Sequence, residues 1–197
     1  MRIGILGGTY DPIHNGHISI GRQVALHLDL AQILLIPSHT PPHRAAPHAS
    51  SQQRLAMCTQ AAADEAGFRV SDIELQRTGP SYTIDTLIAL SRPDWELTLI
   101  LGADAAALLP QWYRAADIGG LCHLAIVNRP GTQLEVATLT AAIPSFGGRI
   151  HPIVVPELAV SSSTIRHNCA AGLPIDDLVP PLVADYIARH GLYRSTL

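Results

Sequence analysis

Short apolar runs alternate along this chain with longer stretches of helical period, the order that builds βαβ units and a mostly parallel sheet. The runs predict strands over 2–6, 33–36, 69–75, 96–101, 121–128 and 150–155, several bounded by Gly or Pro as buried strands usually are. Between them, Ile20, Val24 and Leu28 recur at four-residue spacing over 17–28, with Gly21 and Ala25 on the same inward face. Further helices are predicted over 52–66, 82–90, 103–109 (stopped by Pro110), 134–143, 163–171 and 180–190. In the last, Leu182, Val183, Tyr186 and Ile187 make one apolar face, and Pro180 and Pro181 suit its first turn. No repeat and no low-complexity linker divides the chain. The pattern predicts an α/β, doubly wound single domain over 1–197, with 160–197 as a C-terminal helical part packed on it.

Composition narrows the function classes. The chain has 197 residues, 47% apolar and 15% charged, enough buried area for one full core and too little length for a second large domain. A formal charge of -3 gives no global basic field, which argues against nucleic acid and anionic membranes as partners. Phosphate ligands would have to be held locally, by helix N-termini, Arg and His. Cys58, Cys122 and Cys169 form no C-x-x-C pair, so neither a disulfide framework nor a zinc ribbon is indicated, and reduced cytoplasm is the expected location. The apolar stretch after Met1-Arg2 is too brief for a signal-peptide core, and no run is long and apolar enough to span a bilayer.

The strongest chemical signal is Gly7-Gly8-Thr9-Tyr10-Asp11-Pro12-Ile13-His14-Asn15-Gly16-His17, between the first strand and the first helix. The carboxyl end of a first strand is where open parallel sheets hold ligands. Gly7 and Gly8 permit close backbone approach, and the free N–H groups of the helix point at the same place. His14 and His17, with Gly16 between them, can both face one phosphate and donate to its oxygens as charge builds. The bland alternative is a turn with Asn15 capping the helix.

This string resembles the HxGH signature of the nucleotidyltransferase superfamily, and its opening is similar to that of the bacterial nicotinate mononucleotide adenylyltransferases. The resemblance continues, in the family's order, through Ile36-Pro37, Pro41-Pro42-His43-Arg44, Ser81-Tyr82-Thr83-Ile84-Asp85-Thr86, Leu101-Gly102-Ala103-Asp104, Trp112-Tyr113 and Val160 to Arg166, and on to Tyr186-Ile187 and Leu192-Tyr193. It implies a Rossmann-like fold and adenylyl transfer from ATP to nicotinate mononucleotide. Two departures stand out: Tyr10 where the family more often has Phe, adding a hydroxyl that needs a partner, and Arg44 where it often has Lys, exchanging a point charge for a planar fork.

On this resemblance the catalytic set is His14, His17, Arg166 and Arg44. The ATP set is Gly7, Gly8, Thr9, Tyr10, Gly16, Gly102, Asp104, Ser162, Ser163 and Ile165. The nicotinate set is Tyr82, Thr83, Thr86, Trp112 and Tyr113. Several of these have equally good plain readings: Ser161 to Ser163 as a helix cap with a solvated Arg166, Asp104 as the cap of 105–109, and Trp112 as core packing. The end of the fifth strand, Asn128-Arg129-Pro130-Gly131, is read as lining the nucleotide by its place at a strand end. Prolines break any helical spacing among His39, His43 and His48, so no protein metal ligand is assigned; His43 and Arg44 read better as a phosphate contact on a Pro-rich loop. Magnesium is expected on the substrate phosphates and water. Rival readings are a sister enzyme with another acceptor, such as phosphopantetheine, and a nucleotide-binding regulator without turnover. The sequence leaves oligomeric state open.

Overall fold

The structure, a computed structural model, describes residues 1–39, 46–128, 135–156 and 158–194. Six strands, β1 (Arg2–Gly8), β2 (Gln32–Pro37), β3 (Phe68–Val70), β4 (Glu96–Gly102), β5 (His123–Asn128) and β6 (Ile150–Val154), form one sheet in the order β3-β2-β1-β4-β5-β6. The β1–β4, β4–β5 and β5–β6 pairs run parallel, with Ile3 opposite Leu97, Ile100 opposite Ala125 and Ile126 opposite Pro152. The order reverses direction between β1 and β4, which is the topological switch of a doubly wound fold. Among the described residues eight α-helices accompany the strands: α1 (Asn15–Leu28), α2 (Ser51–Ala62), α3 (Thr83–Leu90), α4 (Ala103–Leu108), α5 (Ala115–Leu121), α6 (Val136–Ala142), α7 (Ser162–Ala171) and α8 (Pro181–Arg189).

The chain divides into two compact units. The first comprises Met1–Leu6, Ile20–Leu34 and Ser81–Glu157; the second comprises Gly7–Ser19, Leu35–Pro80 and Leu158–Leu197. The strand core of the first unit, Leu97, Leu99, Ile100, Leu124, Ala125 and Ile126, reads as continuous apolar runs because both faces of these strands are covered. A side chain at Gly4 would meet Ile33, Leu30 and Ile100 side chains at 2.6, 2.9 and 3.0 Å, so β1 packs through a bare backbone there.

Three elements differ from the sequence expectation. The third strand stops at Val70 because the Asp72 carbonyl accepts from the N–H of Leu75 and Gln76, at 2.8 and 3.2 Å, turning the chain where an extended run to 75 was expected. Of the inward face expected for α1, Gly21 and Val24 are buried while Ile20, Ala25 and Leu28 are half-buried, and Ile18 joins the buried positions because the helix begins at Asn15. Helix α5 is not among the predicted helices, and its last residue, Leu121, falls in the run read as the fifth strand; its Ala115-Ala116-Asp117-Ile118-Gly119-Gly120 sequence lacks the apolar stripe that marks a helix, and Gly119 lets the Pro144–Phe146 turn approach to 2.9 Å of where a Cβ would stand.

Candidate active site

In the second unit, the chain leaves β1 at Gly8 and reaches α1 through a buried loop. Tyr10 adopts a left-handed backbone with φ 52° and is only 2% exposed. Its ring meets the His17 ring edge-on with centroids 5.0 Å apart, and a Cβ at Gly8 would lie 3.0 Å from it. Burial, and then Cys58 and Glu74, push the Tyr10 phenol well above its ordinary value, so it stays un-ionised.

The two imidazoles are stacked, with centroids 3.7 Å apart and planes inclined by 27°. The His14 backbone N–H donates to Nδ1 of His17 at 3.2 Å. Nδ1 of His17 is therefore an acceptor, and the ring of a neutral His17 carries its proton on Nε2, where it can donate outward. Burial lowers His14 to about 4, so this imidazole is neutral near pH 7. Among the described residues its buried Nδ1 has no hydrogen-bond partner. Gly16 is required by the stack: a Cβ there would lie 3.1 Å from two His14 ring atoms and from Val160 Cγ1. Asn15 does not cap α1; its backbone and side-chain N–H groups donate to the carbonyls of Leu178 and Asp177, both at 3.0 Å. The side chain is thereby committed to the C-terminal segment, and the His17 N–H donates to the His14 carbonyl at 2.9 Å.

Helix α7 returns to the same loop. Ser161 is its cap, accepting from the Thr164 N–H at 3.1 Å, and its hydroxyl also meets those of Ser163 and Thr164 at 2.9 and 2.8 Å. Ser162 Oγ donates to the Pro12 carbonyl at 2.8 Å, and Arg166 Nη1 donates to the Asp11 carbonyl at 2.7 Å. Arg166 therefore faces the imidazole loop while remaining partly accessible, and Ile165 anchors the helix in the core. Thr9 contributes its carbonyl to the buried Arg54 guanidinium at 2.7 Å. Arg44 and His43 lie outside the described residues, as do Arg129, Pro130 and Gly131; Asn128 is buried at the end of β5.

In the first unit, Gly102 caps α4 from the end of β4, with open space where a Cβ would stand. Asp104 sits in the first turn of α4, exposed and without a cap hydrogen bond, so the reading of Asp104 as the cap gives way to Gly102. Tyr82 precedes α3, and its ring meets that of Tyr113 with centroids 4.7 Å apart. Tyr113 is 56% exposed, Trp112 and Thr83 are half-buried, and Thr86 lies on the buried side of α3. Trp112 is thus not a fully packed core residue.

The sequence reading gave no role to Asp11 or Arg54 in the second unit. Asp11, 5% exposed, gathers donors from His48, Ala49 and Tyr193. Arg54 is 1% exposed. Its signal was legible: Arg54, Met57, Cys58 and Ala61 share one inward face of α2, and an arginine among core positions asks for a buried acceptor.

A family model described as cytidylyltransferase-like matches residues 5–168. A Herpetosiphon aurantiacus protein named "Probable nicotinate-nucleotide adenylyltransferase" is 42% identical over 197 residues, covering 99% of this chain and 100% of its own. This chain belongs to the nicotinate-nucleotide adenylyltransferase family of cytidylyltransferase-like proteins. A Roseiflexus protein of the same name is 44% identical over 194 residues, covering 98% of each chain. The solved Plasmodium falciparum nicotinic acid mononucleotide adenylyltransferase complexed with NaAD superposes with a TM-score of 0.79 at 20% identity, covering 98% of this chain and 97% of that one; at that identity the likeness carries the fold. Membership of the family agrees with the α/β nucleotidyltransferase fold expected from the motif order. Among the described residues no helix is long and apolar enough to cross a membrane.

Proposed function

We propose that this chain transfers the adenylyl group of ATP to nicotinate mononucleotide, giving nicotinate adenine dinucleotide and pyrophosphate in the reduced cytoplasm, and that it works as a single nucleotidyltransferase domain. The mononucleotide phosphate attacks the α-phosphorus in line; the bond from that phosphorus to the oxygen bridging to the β-phosphate breaks, and pyrophosphate departs with the electron pair. The nucleophile is already an anion, so no general base is needed. What the protein supplies is positioning of two anions and stabilisation of charge on the α-phosphate and leaving group.

The observation that carries this reading is the stacked imidazole pair at the start of α1, with the His17 tautomer set by the His14 backbone N–H. A fixed Nε2 donor costs no reorganisation as charge develops, and one such donor is worth about 3 kcal/mol of transition-state stabilisation. His14 acts beside it as a neutral ring. Arg166, with Arg44, serves the departing pyrophosphate. Gly7, Gly8, Thr9, Tyr10, Gly16, Ser162, Ser163 and Ile165 shape the phosphate end; Gly102 and Asp104 serve the adenosine; Tyr82, Thr83, Thr86, Trp112 and Tyr113 serve the nicotinate ring and its carboxylate.

Magnesium enters as an ATP complex. Imidazole N–H, hydroxyl and guanidinium groups suit phosphate oxygens, and among the described residues no three His, Cys, Asp or Glu come together as a metal cage. When bound, the ion neutralises phosphate charge, and no protein ligand is assigned to it.

Steady-state pyrophosphate release with ATP and magnesium, comparing nicotinate mononucleotide, nicotinamide mononucleotide and phosphopantetheine, tests the reading. Turnover with nicotinate mononucleotide and none with phosphopantetheine is the expected outcome. Preference for phosphopantetheine would assign the chain to a sister activity, and no release with any acceptor would point to a regulator.

A further inference from the structure

The phosphate-handling loop contains a carboxylate that the reaction does not use. Asp11 lies three residues before His14 and is almost fully buried. Its Oδ1 accepts from the Ala49 N–H at 3.0 Å and the Tyr193 hydroxyl at 2.9 Å. Its Oδ2 accepts from the His48 N–H at 2.8 Å and lies 3.3 Å from His48 Nδ1. The same residue's backbone carbonyl receives Arg166 Nη1 at 2.7 Å, and that nitrogen is 3.9 Å from Oδ2. The next carbonyl, of Pro12, receives Ser162 Oγ.

Desolvation argues against an ionised carboxylate here, but the donors of His48, Ala49 and Tyr193 outweigh it and hold the Asp11 carboxyl below its ordinary value. Buried charge is costly to desolvate, and a negative group beside a site for phosphates repels its own ligand. A carboxylate nevertheless offers two oxygens and about four acceptor positions, which no neutral side chain of that size provides. Both oxygens are engaged by segments distant in sequence, the lead-in to α2 and the C-terminal Tyr193, and the backbone carbonyl of the same residue is engaged by α7. Tyr193 itself adopts φ 62°, a left-handed backbone that brings its hydroxyl to this bond.

We propose that Asp11 is a positioning residue: its carboxylate pins the loop through His48, Ala49 and Tyr193, so that His14, His17 and Arg166 hold one mutual geometry. The inference rests on the adenylyl-transfer reading for its kinetic consequence. Asp11 touches no reacting atom and acts through the residues it fixes.

Asp11→Asn keeps the shape, removes the charge and turns one oxygen into a donor that faces another donor. Loss of the negative charge by itself favours ATP binding, so the two roles separate kinetically. Positioning predicts that kcat per folded molecule falls about tenfold or more while KM for ATP is unchanged or lower. Tyr193→Phe removes one donor and keeps the charge, and lowers kcat about threefold or more with KM unchanged. A kcat for folded Asp11→Asn within about twofold of wild type overturns the proposal, whatever happens to the thermal midpoint. Should Asp11→Asn not fold, unchanged kcat in Tyr193→Phe overturns it. The imidazole nitrogen spectrum gives a readout independent of turnover: the single Nε2–H tautomer of His17 becomes mixed in either variant, and an unchanged tautomer counts against the proposal. A wild-type protein that releases no pyrophosphate would refute adenylyl transfer, and the His17 tautomer in the two variants would then decide the positioning role.

Discussion

Acidification should destabilise this protein through one histidine. His14 is 9% exposed, and burial holds it at about 4 against an ordinary 6.5. Above pH 6.5 the ring is neutral in both folded and unfolded chains, and it contributes no pH dependence. Below that point the unfolded chain takes a proton that the folded chain refuses until about pH 4. Stability is therefore fully present at neutral pH and is lost as pH falls from 6.5 towards 4. Each pH unit in that window is worth about 1.4 kcal/mol, so the step from pH 7 to pH 5 costs about 2 kcal/mol from His14. Urea unfolding at the two pH values, for wild type and His14→Gln, isolates the effect because contributions of other groups cancel in the difference. The expected result is a pH-dependent loss smaller by about 2 kcal/mol in His14→Gln. Equal losses in the two proteins would refute the neutral, buried state of His14 and its use as an uncharged partner of His17.

Gly16→Ala places a methyl 3.1 Å from the His14 ring. Helix propensity gains about 1 kcal/mol, but the ring must shift by a few tenths of an ångström, so turnover falls about tenfold with little change in thermal midpoint, measured on the same preparation. Arg54→Met fills the space of the side chain but leaves the Thr9 carbonyl, which now receives Nη1 at 2.7 Å, without its donor. Chemical denaturation should show a loss of about 2 kcal/mol; no loss would mean that water replaces the guanidinium.

Much of the fold was legible because buried parallel strands and Gly- or Pro-bounded runs are local signals. β2, β4 and β6 fall within a residue or two of the runs that marked them. What the runs could not convey was competition from turns: the Asp72 carbonyl ended β3 early, and α5, short and glycine-containing, carried no stripe. At the candidate site, the motifs named His14, His17, Gly16 and Arg166, which the structure brings to one loop, but not the bonds among them. The His17 tautomer depends on a backbone N–H direction. The Asp11 hub joins residues up to 182 positions apart, which no local pattern encodes. Asn15 looked like a cap because its residue type favours caps, yet the carbonyls of Asp177 and Leu178 claim it instead.

The most direct test of the imidazole pair as the phosphate-handling centre is turnover of His17→Ala with ATP, magnesium and nicotinate mononucleotide, read as pyrophosphate release. The account predicts a fall of about a hundredfold or more, with an unchanged circular dichroism spectrum. Turnover within about threefold of wild type would contradict it, because the loss of the proposed Nε2 donor to the transferred phosphate must carry that cost.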